Sequence, residues 1–270
     1  MNLRLTLQLF TMEIRKVFAY RVDFWLSFVV ATLAQFCVAF FLWKSIFTYK
    51  AVDTIGNFTF PALMFYYLLA PVLGRTIYSG NHGDIAMEIY QGSLTRYIIY
   101  PVSFFRYKLL VHCANATVLL VQLLAVITVA VVLFPSLTGS YAVTPFTILL
   151  GTVTTLAATV LYFIFSAWIQ LIAFWADQIW SLSAIIRFIT SLLGGSLLPL
   201  SLFPESIQPL LTWLPFSYFV HFPLQCFLGN IHPDMWYKGM CVMAGWAAVF
   251  TIIYACIWHK GNHQYTGVGI

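Results

Sequence analysis

Six stretches of the chain are long, apolar and almost free of charge. A transmembrane helix needs about 20 consecutive apolar residues. The longest uncharged run, between Lys108 and Asp177, is too long for one helix, and turn signals at residues 134–140 divide it. We therefore predict an all-α polytopic membrane protein, a single transmembrane domain over residues 1–270 with six transmembrane helices. Their predicted ranges are 22–45, 56–79, 107–133, 146–174, 179–200 and 237–258.

Three segments outside these helices have a different pattern. Residues 1–21 place apolar side chains at helical spacing with charged residues elsewhere on the wheel, which predicts an amphipathic helix on the membrane surface. Residues 80–106 form the one substantial hydrophilic loop, with apolar and polar positions again at roughly helical spacing. Residues 201–233 are apolar but interrupted by prolines, which predicts short helical pieces that re-enter the outer interface.

The composition excludes a soluble domain. Of the 270 residues, 61% are hydrophobic and 8% are charged, whereas soluble proteins are about 25% charged. The net charge of +5 includes no basic stripe interleaved with aromatic residues, so nucleic acid is not an expected partner. The five cysteines form no CxxC pair, and we expect small buried hydrophobic side chains rather than a disulfide framework or a zinc site.

The positions of Lys and Arg predict the orientation. With six spans, both termini and the 80–106 loop lie on one side, and that side carries nine Lys and Arg residues against three on the other. The positive-inside rule assigns the richer side to the cytoplasm. The nine are Arg4, Arg15, Lys16, Arg21, Arg75, Arg96, Arg106, Lys108 and Lys260, and the three are Lys44, Lys50 and Lys238.

Catalytic and cofactor motifs are scarce. The sequence has no GxxxxGK[ST], HExxH or GxSxG motif, and its six histidines are scattered, so we expect no phosphate-binding loop and no metal site. Arg187 lies within the fifth predicted span, where a charge is costly and must face protein or water. It either lines a path for an anionic substrate or satisfies helix-end carbonyls and snorkels to the interface, and on the residues alone we favour the second interpretation.

The 84–100 part of the hydrophilic loop has two interpretations. A transporter driven by a separate motor needs a cytoplasmic handle, and a short helix parallel to the membrane would serve. The alternative is an ordinary amphipathic loop helix. In the first interpretation Asp84, Glu88 and Arg96 supply charges that set the register, and Ile85, Ile89 and Leu94 supply apolar contacts.

Three short patches follow one another on the six predicted spans. They are Arg21-Val22-Asp23-Phe24-Trp25; Glu88-Ile89-Tyr90-Gln91-Gly92-Ser93-Leu94 with Tyr97 and Pro101-Val102-Ser103; and Gly194-Gly195 with Pro199-Leu200, Phe203-Pro204, Leu214-Pro215-Phe216, Pro223 and Phe227-Leu228-Gly229. In this order they resemble the membrane subunits of ATP-binding-cassette exporters of the type-2 permease class, in the branch of compact six-helix permeases. The resemblance covers nearly the whole chain, although Tyr100 stands where relatives often carry a basic residue.

This resemblance implies a permease that exports a hydrophobic or amphipathic substrate, such as a lipid, glycolipid, drug or peptide. Residues 1–21 would be the elbow helix, 84–97 the coupling helix, and 201–233 the short outer-side helices. The implied partners are two cytoplasmic ATPase subunits, which bind ATP and Mg²⁺, a second permease, identical or related, and membrane lipids; this chain holds no cofactor. The implied location is a bacterial inner membrane. The residues implied to contact the ATPase are Asp84, Ile85, Glu88, Ile89, Gly92, Leu94 and Arg96.

Two other classes of protein stay open. An ion-driven secondary transporter often carries acidic residues at mid-membrane and broken helices in related halves, and here no acid lies at the centre of a predicted span. An intramembrane enzyme needs a nucleophile and a base within the spans. Ser196 is the nearest candidate nucleophile, and no partner base is evident from the sequence.

Overall fold

A computed structural model describes residues 3–19, 21–56, 58–79, 83–99, 103–139 and 141–265. The predicted loop residues 80–82, and Tyr100, Pro101 and Val102 of the second patch, lie outside the described residues.

The described chain is almost entirely helical. Four short 3₁₀ segments accompany the α-helices, at Ser93–Thr95, Leu171–Phe174, Leu200–Leu202 and Pro215–Tyr218. The α-helices are α1 Leu3–Ala19, α2 Arg21–Lys50, α3 Phe60–Ile77, α4 Asp84–Tyr90, α5 Arg96–Ile99, α6 Phe104–Leu133, α7 Pro135–Thr138, α8 Pro145–Gln170, α9 Trp180–Leu193, α10 Gln208–Trp213, α11 His221–Phe227 and α12 Pro233–Gln264.

The prediction of an all-α polytopic membrane protein is confirmed. Among the described residues, α2, α3, α6, α8 and α12 are long and apolar enough to cross a membrane. A two-residue hairpin, β1 Thr54–Ile55 and β2 Phe58–Thr59, joins α2 to α3 and was not predicted. Its turn contains Gly56 at a φ of +59°, a conformation that glycine adopts readily.

Side-chain oxygens define the start of two of these helices. Thr59 Oγ1 accepts a hydrogen bond from the backbone N–H of Ala62 at the start of α3. Thr144 and Thr147 form a reciprocal capping box at the start of α8. Pro61 and Pro145 occupy the first turns, where a missing N–H costs nothing.

Helices α3 and α8 form the centre of the protein. Helix α3 packs against α2 and α6, and α8 packs against α6, α11 and α12. Helices α2 and α12 have the most exposed surfaces, and that exposed surface is apolar, with Val38 of α2 70% exposed. A bilayer solvates such side chains, so the outward faces of α2 and α12 suit lipid or another membrane chain.

The fifth predicted span is shorter than expected. The sequence pattern predicted a helix over 179–200, but α9 ends at Leu193, and Gly195 follows with a φ of +85°. A glycine in the left-handed conformation commonly ends a helix. At 14 residues, α9 is about 21 Å long and covers less than the ~30 Å hydrocarbon core.

The proline-rich segment, residues 201–233, inserts alongside α8. Phe227 packs against Gly151 near the start of α8, whereas Phe219 packs against Tyr162 and Phe165 in its second half. Phe165 lies about 30 Å along the helix from Pro145. Phe219, which is fully buried, therefore lies among the aromatic side chains of α8, and re-entry of this segment from the outer interface stays a prediction.

Candidate functional site

The N-terminus of α4 is capped by a residue from a distant helix. Gly83 precedes α4 and has no side chain to cap it. The Gln170 side-chain oxygen, at the end of α8, accepts hydrogen bonds from the backbone N–H groups of Gly83 (3.1 Å) and Ile85 (3.0 Å). The Gln170 amide also donates to Ser166 Oγ at 3.0 Å. The first turn of α4 is therefore fixed to the end of α8.

The prediction of a single helix over residues 84–97 is wrong. Helix α4 ends at Tyr90, and Gly92 then adopts a φ of +68°. A 3₁₀ turn and the short helix α5 follow it. The left-handed glycine reverses the chain direction, so the loop folds back on itself instead of extending as one rod.

The apolar residues of this loop face the protein itself. Ile85, Ile89 and Leu94 are buried, with at most 6% of their surface exposed. These side chains pack within this chain, so their contact with a partner stays a prediction. The residues that face outward form what we term the loop face, which consists of Asp84, Met87, Gln91, Thr95 and Arg96.

Glu88 attaches the loop to α6. Its Oε1 accepts a hydrogen bond from Lys108 Nζ at 2.5 Å and another from the Tyr97 hydroxyl at 2.9 Å. Burial raises the pKa of the Tyr97 phenol, and the hydrogen bond to Glu88 raises it further, so Tyr97 remains a donor. Glu88 therefore holds the loop in place and is not a free surface charge.

A polar cavity of about 180 Å³ lies where the loop, α1, α6 and α8 meet. Glu13 and Lys16 of α1 form an ion pair at 2.6 Å on one side of it. Glu88, His112 and Gln170 line the other sides. The amphipathic helix, the loop and two long helices therefore share one polar junction.

The end of α9 is held by two tyrosines of α3 and by Tyr78, which directly follows α3. A helix end leaves carbonyl oxygens without intrahelical partners. Tyr66, Tyr67 and Tyr78 each donate their hydroxyl to one carbonyl, at Gly195 (2.6 Å), Leu197 (3.2 Å) and Thr190 (3.4 Å) respectively.

The backbone N–H of His221 makes a similar contact from the proline-rich segment. It donates to the Gly194 carbonyl at 2.8 Å. The irregular backbone after α9 is therefore satisfied inside the protein, as the membrane interior requires.

A larger cavity, of about 580 Å³, lies between α2, α3 and the break after α9. We call it the α2–α3 cavity. Its walls are mostly apolar, and among the described residues Arg75, in the last turn of α3, is the only charged one that lines it. The lining residues are Ala34, Gln35, Val38, Ala39, Leu42, Trp43, Tyr67, Pro71, Gly74, Arg75, Tyr78, Ser191, Ser196 and Leu197.

A family model described as "ABC-2 family transporter protein" matches residues 33–269, which is most of the chain. The chain belongs to the ABC-2 transporter family. No curated protein and no solved structure matches it significantly. Membership supports the resemblance to ATP-binding-cassette permeases and makes the chain a multi-pass membrane subunit of a transporter of that class.

Arg187, the cation that the sequence singled out, lies elsewhere in this ABC-2 family member. It is exposed on α9 and lines a small cavity of about 20 Å³ with Tyr162, Ser166 and Gln170. It does not line the α2–α3 cavity, so its role in a substrate path stays a prediction. The cation that does line the cavity, Arg75, counted from sequence only toward orientation. The one sequence feature that could have indicated a cavity role for Arg75 is its positive charge in the last turn of an apolar span.

Ser196 gains no base from the structure. Its hydroxyl donates to the Ser191 carbonyl at 3.1 Å, and the residue lines the α2–α3 cavity. His221 lines a different cavity, of about 500 Å³, between the proline-rich segment and α12. Within the described part of the chain, the hydrogen bonds of Ser196 include no histidine or carboxylate, and a nucleophile needs such a partner to be activated.

The cysteines are all free within the described ranges, and three of them are exposed instead of buried as expected. Cys37 lies on the outward face of α2, and Cys241 and Cys256 lie on that of α12, where lipid suits a small apolar thiol. Among the described residues, no group of three or more His, Cys, Asp or Glu side chains could hold a metal ion.

Proposed function

We propose that this chain is the permease subunit of an ATP-driven exporter that moves a hydrophobic or amphipathic substrate out of the cytoplasm or the inner leaflet. Lipids, glycolipids, drugs and peptides fit that description. Two cytoplasmic ATPase subunits bind ATP and Mg²⁺ and supply the energy, and a second permease completes the transporter. The chain itself binds no cofactor and is not an enzyme.

The observation that carries this proposal is the way the loop is mounted. Its inner side is fastened to α8 by Gln170 and to α6 by the Glu88–Lys108 pair. Its loop face presents Met87, 54% exposed, between the polar residues Asp84 and Gln91. A mobile surface loop would need neither the Gln170 contact nor the Glu88–Lys108 pair. A coupling loop that transmits movement from an ATPase to the transmembrane helices needs rigid attachments of this kind.

The two attachments define a mechanism for coupling. An ATPase subunit that binds the loop face would move α4 when it closes on ATP. The hydrogen bonds of Gln170 would transmit this displacement to the end of α8. The Glu88–Lys108 pair passes it to α6. Helix α3 packs against both α6 and α8, so this movement changes the walls of the α2–α3 cavity, through which the substrate would move.

The expected orientation places the loop face and both termini in the cytoplasm of a bacterial inner membrane. It follows from the Lys and Arg count, and it is the one that lets cytoplasmic ATPase subunits reach the loop.

Substitutions on the loop face test this docking. Met87→Asp and Arg96→Glu change exposed side chains without touching the attachments. We expect both variants to remain in the membrane but to lose co-purification with an ATPase subunit, recognised by its own GxxxxGK[ST] motif. Asp53→Arg, an exposed change in the hairpin beyond α2, is the matched control and keeps the complex. Glu88 is unsuitable for this test because its substitution would also detach the loop from α6.

Two outcomes would overturn the proposal. One is an unchanged complex in both loop-face variants. The other is transport by the purified chain alone in liposomes, driven by an ion gradient without ATP, which would favour the secondary transporter.

A further inference from the structure

The α2–α3 cavity combines apolar walls with a single cation. Val38 and Leu42 of α2 and Pro71 of α3 contribute to the walls, while Arg75 lies toward the end of α3. Tyr67 lines the cavity two turns earlier on α3, eight residues from Arg75, or about 12 Å along the helix. The cavity is therefore charged toward one end and largely apolar over the rest of its length.

Arg75 has no counter-ion in the described part of the protein. Its guanidinium lies 5.7 Å from the Phe28 ring, and neither of the ion pairs there involves it. Of the residues that the structure describes, no Asp or Glu lines the cavity. A cation at the edge of hydrocarbon needs water or an anion, and the planar guanidinium fork matches a carboxylate or a phosphate with two parallel hydrogen bonds.

A cavity with a cation at one end and apolar walls along the rest suits a ligand that has one charged end and a hydrocarbon chain. An amphiphile with one acidic group would place that group on Arg75 and its hydrocarbon chain along Val38, Leu42 and Pro71. A zwitterionic lipid would bring its own cation close to Arg75, and the repulsion between the two cations would offset the attraction between Arg75 and the lipid phosphate. A neutral apolar molecule would leave the guanidinium unpaired.

We propose that the α2–α3 cavity binds an amphiphile whose acidic headgroup, a phosphate or a carboxylate, pairs with Arg75. The proposal of binding rests only on the α2–α3 cavity and on the charge of Arg75. The further step, that this amphiphile is the exported substrate, rests on the proposed function.

The test measures binding to the purified full chain without any ATPase. The chain in mild detergent is offered equimolar phosphatidylglycerol and phosphatidylcholine with identical acyl chains, and native mass spectrometry counts the bound lipids. A second arm offers dodecyl phosphate against dodecyl phosphocholine. We expect the acidic member of a pair to be retained about tenfold better, the value of one charge-assisted pair. A preference in the phospholipid arm identifies the ligand as a bilayer lipid. A preference in the dodecyl phosphate arm identifies it as a dispersed amphiphile.

Variants assign the preference to the cavity. Arg75→Gln should abolish it, and Arg75→Lys should keep part of it because a point charge replaces the fork. Arg106→Gln removes an exposed cation of α6 predicted on the same side of the membrane, and it should leave the preference intact. Val38→Trp enlarges a side chain that lines the cavity without changing charge, and it should weaken binding of both members of a pair. Size-exclusion profiles check that each variant is folded.

Three results would overturn the inference. They are equal retention of acidic and zwitterionic species by the native chain, an unchanged preference in Arg75→Gln, and an Arg75→Gln variant that loses self-association while its lipid preference persists. The last would assign Arg75 to a contact with a second chain. Because no ATPase takes part, loss of docking in the loop-face experiment leaves this result unaffected, and the two proposals fail separately.

Discussion

Gly195 occupies a backbone conformation that other residues adopt only under strain, and it does so in a crowded place. Its φ is +85°, and a Cβ built there would lie 3.0 Å from both the His221 Cβ and the Tyr66 hydroxyl. The neighbouring carbonyl of Gly194 is fixed by His221 as well. The position where α9 ends therefore depends on one residue type.

We expect Gly195→Ala to destabilise the protein by about 1–2 kcal/mol through left-handed strain and displacement of Tyr66. Its apparent melting temperature in detergent should fall by a few degrees. Gly245→Ala is the matched control, since a Cβ there meets nothing within 4 Å and the residue lies within α12. That change should be neutral or slightly stabilising. Equal melting temperatures for the two variants would contradict this account.

Single residues were only partly readable from the sequence. Gly92 and Gly194-Gly195 stood out in the patches, but whether a glycine ends a helix depends on its φ, which periodicity does not report. Arg187 attracted attention because it lies within an apolar run. Arg75 is the residue that lines the α2–α3 cavity, and this follows from the packing of α2 beside α3, which no spacing within α3 encodes.

At the scale of elements, α4 depends on α8 for its first turn. We expect Gln170→Leu to leave the N–H groups of Gly83 and Ile85 without an acceptor and to cost about 1 kcal/mol locally, as loss of a cap does. Amide hydrogen exchange over residues 84–90 should accelerate about fivefold.

Gln170→Glu keeps an acceptor oxygen, and a carboxylate at a helix N-terminus is favourable. It should therefore preserve the slow exchange that Gln170→Leu loses. Fast exchange in both variants would mean that the Gln170 side-chain oxygen is not what stabilises α4.

The long elements were predictable because uncharged runs of sufficient length allow few other structures in a bilayer. The failures are at the shorter ones. Residues 84–97 have helical periodicity throughout, yet the chain reverses at Gly92, and Ile85 and Ile89 turn inward onto the protein. The cap on α4 comes from a residue 85 positions later in the chain, a separation at which a sequence pattern has no bearing on contact.

At the scale of the whole molecule, orientation is open to direct measurement. In a variant whose five native cysteines are replaced, we expect Asp53→Cys and Glu205→Cys to react with a membrane-impermeant maleimide in intact cells. Arg96→Cys should react only after permeabilisation. All three positions are exposed. Labelling of Arg96→Cys in intact cells would place the loop face outside and remove the basis for docking a cytoplasmic ATPase.

The tyrosine contacts of α3 bear on which energy source this membrane domain can use. In sodium-coupled carriers, an interrupted helix exposes backbone oxygens that replace the hydration shell of the driving cation. Here the carbonyl oxygens of Thr190, Gly194, Gly195 and Leu197 each already accept a hydrogen bond from a phenol or a backbone amide. Each of these donors occupies one lone pair of its carbonyl oxygen and limits how freely that oxygen can turn toward a sodium ion. The end of α9 is thus a fixed joint, in keeping with the proposal that a separate ATPase supplies the energy for transport.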